Sequence, residues 1–201
     1  AALPADSVAA VSGFHIAEHL PFERLQDLIA NALRVLQPGG LLILETPNAE
    51  NIQVGSLTFH MDPTHVKPLP PGLLSFLPRF HGFQRAKVLR LQESKALADA
   101  ESARLLDVFR GVSPDYAVVA QKGGDAPYLR QWDVLFDKDF GLTLDTLSDR
   151  FERGFHDRIS AQGEQIRELQ RRLDDLADQN IDYQQRLEAV YDSTSWRITR
   201  P

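Results

Sequence analysis

Six histidines and a scatter of carboxylates are the side chains here with chemistry to offer. Glu18-His19 follows directly on an apolar run, and His60-x-Asp62-x-x-His65 lies in a stretch without periodicity. An imidazole there can act as a base or hydrogen-bond donor near neutral pH. The bland alternative is that Glu18 and His19 cap the helix that begins near Pro21. A carboxylate between two imidazoles is also a set of metal-ligand types. A loop fixes no spacing, however, so convergence on an ion does not follow and no metal is expected. Asp62 has a structural alternative too, a turn closed on the Thr64 amide with His65 packed beneath. His60 and His65 are expected to face a bound acceptor from a loop at the rim of the site. Lys67 and Arg79 could hold an anion or simply be solvated. Glu45 ends a strand near the expected ligand edge, and Asn48 reads as a turn residue.

The elements that must position these residues are readable. Val8 to Phe14 is apolar without strict alternation, which predicts a strand buried on both faces. Leu25, Leu28, Ile29, Ala32, Leu33 and Leu36 recur at three and four, predicting a one-faced helix from Pro21 that Pro38-Gly39-Gly40 stops. Leu41 to Leu44 is the next strand. Strand, helix, strand within about 40 residues is a βαβ unit with parallel strands. Residues 48–69 read as a long loop and Pro70 to Leu77 as a short helix ended by Pro78. Arg85 to Leu91 and Tyr116 to Ala120 are strands whose hairpin-like return would add an antiparallel edge. Residues 93–110 are mixed.

Neither GxGxxG nor GxxxxGK[ST] occurs, and Gly39-Gly40 follows a helix instead of opening one. The opening run is already a core strand with nothing before it. The chain is therefore expected to begin inside a larger domain.

The 201 residues carry a net charge of −6 and no cysteine. Disulfides and thiolate ligands are excluded, and the composition fits the cytoplasm. Residues 1–123 hold 12 acidic and 11 basic side chains, residues 124–201 hold 16 and 11. Neither part has the basic excess of a nucleic-acid footprint, so no nucleic-acid partner is expected. No stretch reaches 18 apolar residues, and no signal peptide is visible at Ala1.

Phe14-His15-Ile16-Ala17-Glu18-His19-Leu20, Arg34-Val35-Leu36-Gln37-Pro38-Gly39-Gly40 and Glu45-Thr46-Pro47-Asn48 together resemble class I S-adenosylmethionine-dependent methyltransferases, over about residues 7–122. The resemblance implies an α/β fold, a partial Rossmann-like sheet holding the fourth to seventh strands of that family. S-adenosyl-L-methionine would lie across the carboxyl ends of the parallel strands. Phe14, His15 and Glu18 would border the cofactor. His19 and His65 would serve the chemistry, and Glu45, His60, Asp62 and Lys67 the acceptor. Asp62-Pro63-Thr64-His65-Val66-Lys67-Pro68, Leu74-Ser75-Phe76-Leu77 and His81-Gly82-Phe83 are similar to bacterial methyltransferases of cell-surface polysaccharide synthesis, in particular those joined to a kinase that terminate O-antigen chains. That narrower likeness implies a glycan or small-molecule acceptor, such as a sugar or a phosphorylated glycan end. Residues 123–201 contain neither an HRD-type loop nor a DFG segment, so no kinase activity is expected of them.

Lys122 to Pro127 is rich in breakers and marks the end of the domain at residue 122. Residues 123–141 read as a linker with packing aromatics. Residues 142–192 read as a long helix, and 193–201 as a flexible tail. Ile166, Leu169, Leu173, Leu176, Asn180, Tyr183, Leu187 and Val190 fit a heptad with Ile166 at a and Leu169 at d, predicting a coiled coil and a homo-oligomer. The alternative is one amphipathic helix packed on its own domain. The tail from Ser195 to Pro201 resembles one found in bacterial surface-polysaccharide proteins. It implies a weak association with such enzymes or, through Trp196 and its arginines, with the inner face of a membrane. A non-catalytic scaffold of a polysaccharide-building complex is the competing reading of the whole chain.

Overall fold

The computed structural model describes residues 3–199. Ala1, Ala2 and the last two residues of the tail motif, Arg200 and Pro201, lie outside the described residues. The chain falls into two compact units that meet between Glu152 and Arg153.

The first unit is built on a four-stranded mixed sheet. Strands β1 (Val8–Phe14) and β2 (Leu36–Pro47) flank helix α1 (Phe22–Val35) in sequence. β1 and β2 are parallel neighbours, as the βαβ pattern requires, with Val11 beside Leu42 and Phe14 beside Glu45. Two short helices follow, α2 (Ile52–Ser56) and α3 (Pro71–Phe80), before strand β3 (Arg85–Leu91). Helices α4 (Lys95–Ala98) and α5 (Leu105–Arg110) lead to β4 (Asp115–Gln121). β4 lies between β2 and β3 and is antiparallel to both, so the order is β1-β2-β4-β3. The hairpin-like return is therefore present, with β4 inside the sheet and β3 at the edge.

Alternate strand residues face opposite sides. Leu42 and Leu44 of β2 and Tyr116, Val118 and Ala120 of β4 join Leu25, Ile29 and Ala32 of α1 and Leu74 and Leu77 of α3 in the main core. A second cluster gathers Ala103, Val108, Val112 and Leu142 around Leu147. Leu147 belongs to α8 (Leu144–Asp192), a 49-residue helix. Between β4 and α8 lie α6 (Ala126–Arg130) and α7 (Asp133–Asp137). A last helix, α9 (Thr194–Thr199), lies in the segment 193–201.

Four local expectations need correction. Pro38-Gly39-Gly40 does not stop α1. Leu36 already has extended backbone, and β2 runs through the glycines. The register of β1 against β2 slips between Val8 and Ala10, where Val8 pairs with Leu36 and Ala10 with Leu41, so the Pro-Gly-Gly segment is an irregularity of the strand. Gly40 is needed there for close approach, since a Cβ would sit 2.9 Å from the Ala9 carbonyl oxygen.

Pro78 does not end α3 but lies inside it. Proline removes one N–H and blocks one bond. Close to the C-terminus this is tolerated, because His81 N–H donates to Leu77 and Phe83 N–H to Pro78 itself, closing the last turn.

The loop of residues 48–69 contains α2 and a 3₁₀ turn at Thr58–Met61. Asn51 starts α2 by accepting from Val54 N–H. Asn48, expected to turn the chain, does so and is buried; its side chain accepts from Glu50 N–H and donates to the Ser113 carbonyl.

β1 is not buried on both faces. It pairs with β2 alone, and Ala9, Ala10 and Phe14 are exposed. Continuous apolar character signals a strand made to be covered, and among the described residues nothing pairs with its outer edge.

Candidate functional site

The carboxyl ends of β1 and β2 come together beside the amino end of β4. After Phe14 the chain turns sharply. His15 has a φ of 50°, in the left-handed region that costs a non-glycine residue about 1 kcal/mol or more. One 3₁₀ turn, Ala17–His19, then folds Glu18 back beneath the strand ends.

Glu18 is the centre of the polar network. It is 1% exposed, yet both carboxylate oxygens are occupied. Oε1 lies 3.2 Å from His15 Nδ1, and Oε2 accepts from the Thr46 hydroxyl at 3.0 Å. A carboxylate is retained in such a place only when hydrogen-bonded. Its backbone carbonyl accepts from Val66 N–H at 2.8 Å, which ties the 57–70 loop to the strand ends. His15 Nε2 lies 3.6 Å from Glu45 Oε1. Asp115, first residue of β4, joins His15 and Glu45 in a group whose ligand-type atoms all lie within 4.8 Å of one another. Burial first, then the neighbouring Glu45 and Glu18 charges, raise the Asp115 carboxyl above its ordinary range, against the opposing pull of His15. Tyr116 is fully buried and donates to the Leu69 carbonyl at 2.7 Å. Burial and then Glu18 push its phenol far up, so it stays protonated.

A second group adjoins the first. The Thr64 hydroxyl donates to Asp62 Oδ1 at 2.6 Å, and Thr64 N–H donates to the same oxygen at 2.8 Å. These bonds hold the Asp62 carboxyl below the usual range, the Thr64 hydroxyl contributing most. Thr64 Oγ1 is also 2.9 Å from His19 Nδ1. A hydroxyl has one hydrogen, and Asp62 takes it. His19 Nδ1 must then be the donor, which leaves the Nε2 lone pair free. His65 is set the same way. Its Nδ1 lies 2.6 Å from the Phe59 carbonyl, which can only accept. The His19 and His65 rings are 4.7 Å apart, and His65 rests on Phe59 at 4.4 Å.

Of the residues singled out from the sequence, His15, Glu18, His19, Glu45, Asp62 and His65 converge here. His60 is exposed and meets the edge of Phe59, while the Lys67 ammonium lies 4.6 Å from the centroid of the Phe22 ring. Phe14 is exposed at the rim, 57% accessible. Asp62 closes a turn on the Thr64 amide, as its structural alternative has it, and its other carboxylate oxygen lies 3.8 Å from His65 Nε2. Thr46, Asp115 and the role of the Thr64 hydroxyl are not legible in the sequence. Asp115 comes to the strand ends only through the antiparallel register, which sets it beside Pro47. Among the described residues the groups able to surround an ion are Glu18, His19 and His65, and His15, Glu45 and Asp115. Neither is the His60-Asp62-His65 set, whose residue types suit a metal but whose convergence the sequence did not imply.

No family model matches the chain. It is 32% identical over 129 residues to a probable S-adenosylmethionine-dependent methyltransferase of Mycolicibacterium smegmatis, a match covering 64% of this chain and 47% of the relative. The chain thus spans about half the length of that relative. A crystal structure of a SAM-dependent methyltransferase from Archaeoglobus fulgidus superposes with a TM-score of 0.52 at 26% identity, covering 60% of this chain and 62% of the other. The sheet and its helices have the methyltransferase-like α/β fold.

Proposed function

We propose that this chain supplies the acceptor side of an S-adenosylmethionine-dependent methyl transfer, at the carboxyl ends of β1 and β2. One observation carries the reading: two parallel strands end in a polar network centred on the buried Glu18, at the edge where ligands of open α/β sheets bind. The donor set suits the cofactor. Glu45 and Asp115 offer carboxyl groups at the strand ends to a ligand that carries an ammonium and a sulfonium, the buried Glu18 holds His15 in place, and Phe14 offers an exposed ring at the rim. When bound, S-adenosylmethionine supplies an electrophilic methyl group. His15, held between Glu18 and Glu45, would border it.

The chain's own work is to orient the acceptor and take its proton. His19, with Nδ1–H fixed on Thr64, presents Nε2 to an acceptor hydroxyl. His65 packs against that imidazole, its ring 4.7 Å away. Asp62 anchors Thr64, and His60 and Lys67 stand farther out on the same loop, where a larger acceptor would lie. The acceptor class we favour is a sugar or a phosphorylated glycan end, supported by the resemblance of residues 62–83 to methyltransferases of surface-polysaccharide synthesis. Association with such enzymes would follow from that setting.

The test is a methyl-transfer assay with labelled cofactor and glycan acceptors on the natural full-length protein. His65→Ala is expected to cut turnover while calorimetric binding of S-adenosylmethionine persists. Unchanged turnover removes His65 from the site, and loss of cofactor binding reassigns it to the cofactor side.

A further inference from the structure

Of the residues from Arg153 to Asp192, forty positions of continuous helix, none is buried. Helices in proteins owe most of their stability to burying an apolar face, and this one has a face to bury. Ile159, Ile166, Leu169, Leu173, Leu176, Tyr183, Leu187 and Val190 are 52–65% exposed and fall at the a and d positions of a single heptad register. Asn180 occupies an a position in the middle of the run.

We infer that this face is the seam of a parallel, in-register, two-stranded coiled coil formed with a second copy of the same chain. The inference stands independently of the methyl-transfer reading, and it rests on what flanks the seam. The g positions are Arg158, Gln165, Arg172, Gln179 and Arg186; the e positions are Gly163, Gln170, Ala177, Gln184 and Tyr191. In a parallel pair each g residue meets the e residue five places later in its partner. Every arginine then faces glycine, alanine or tyrosine, and every glutamine faces a glutamine. No like charges meet. Arg172 and Arg186 are drawn back along their own helix by Glu168 at 3.0 Å and Asp182 at 2.9 Å, both at c positions away from the seam.

An antiparallel pair sets g against g and a against d. The alignment that would match Asn180 with a polar partner, Gln162, is the one that places Arg172 beside its own copy and Arg158 beside Arg186. That match therefore brings charge repulsion, and pairing Asn180 with Tyr183 instead leaves Ile159 and Ile166 outside the paired stretch. Only the parallel arrangement joins Asn180 to Asn180 without either, and a single buried Asn at a favours two strands in fixed register at some cost in stability. Ile166 at a with Leu169 at d points to the same number of strands.

The absence of cysteine makes the geometry directly testable. Single Ile166→Cys and Val190→Cys variants of the full chain are oxidised mildly and read on non-reducing gels, while light scattering gives the mass of the unmodified chain. A dimeric mass, with each variant cross-linking to itself, is the expected result, because identical a or d positions face each other in a parallel pair and a disulfide needs Cα atoms within about 7 Å. A dimer in which neither variant cross-links to itself, or in which a cross-link forms only when the two are mixed, overturns the parallel arrangement. A trimeric mass overturns the strand number. A monomeric mass overturns the seam altogether.

Discussion

Thr64 Oγ1 stands 2.9 Å from His19 Nδ1, across 45 residues of sequence. Because Asp62 takes the Thr64 hydrogen, this contact fixes which nitrogen of His19 is free. Thr64→Val removes the acceptor and lets the ring choose either tautomer. Turnover is expected to fall roughly ten- to a hundredfold, less than the roughly hundred- to ten-thousandfold a positioned base contributes because the imidazole itself remains, with little change in cofactor affinity. Thr64→Ser, which keeps the hydroxyl, should restore most of it. Equal losses in both variants, measured as kcat and KM, would mean that Thr64 acts through packing.

Asp115 is held at a cost. Its carboxyl is raised, chiefly by burial, so the folded protein binds its proton more tightly than the unfolded chain does. Stability from this group is fully present below the ordinary carboxylate value and is lost as pH rises through the raised one. Asp115→Asn is therefore expected to be neutral or slightly stabilising at pH 7, by about 1–3 °C in Tm, with the gain vanishing in acid. A lower Tm at pH 7, in thermal melts across pH 3–8, would show that Asp115 is held by its partners more strongly than it is penalised by burial.

Asp62 works in the opposite sense. Its carboxyl is lowered by the Thr64 hydrogen bonds, so what it adds is present above the ordinary carboxylate value and lost as pH falls through the lowered one. The group is solvent-exposed, so the effect on global Tm should be slight. Local exchange of the Thr64 amide should respond, rising in acid and in Asp62→Asn. Amide exchange that is flat with pH after correction for the intrinsic rate would contradict this.

Tyr116 fastens the loop to the sheet. Tyr116→Phe leaves the Leu69 carbonyl without its donor in a buried place, and a loss of about 1–3 kcal/mol is expected from urea unfolding. A change under half that size would mean that the carbonyl finds another donor.

Much of this was legible in the chain. The period of α1, the apolar runs of β1 and β2 and their parallel pairing all follow from pattern, because one-faced burial leaves a regular trace. Pro38-Gly39-Gly40 misled because the same residues that stop helices also allow a strand to bulge. Pro78 misled because a proline near a helix end costs only one bond. Glu18, His19 and His65 stood out by residue type. Thr64 and Asp115 did not, since their roles come from a tautomer choice and a strand register that join distant segments. Continuous apolar character in β1 told only that the strand is made to be covered.

Calorimetric titration of the natural full-length protein with S-adenosylmethionine bears most directly on the reading of the strand ends as a methyl-transfer site. Saturable heat at micromolar ligand is expected, weakened by Glu18→Gln in a protein that still melts cooperatively. No heat at millimolar ligand would contradict it and leave the chain as a scaffold.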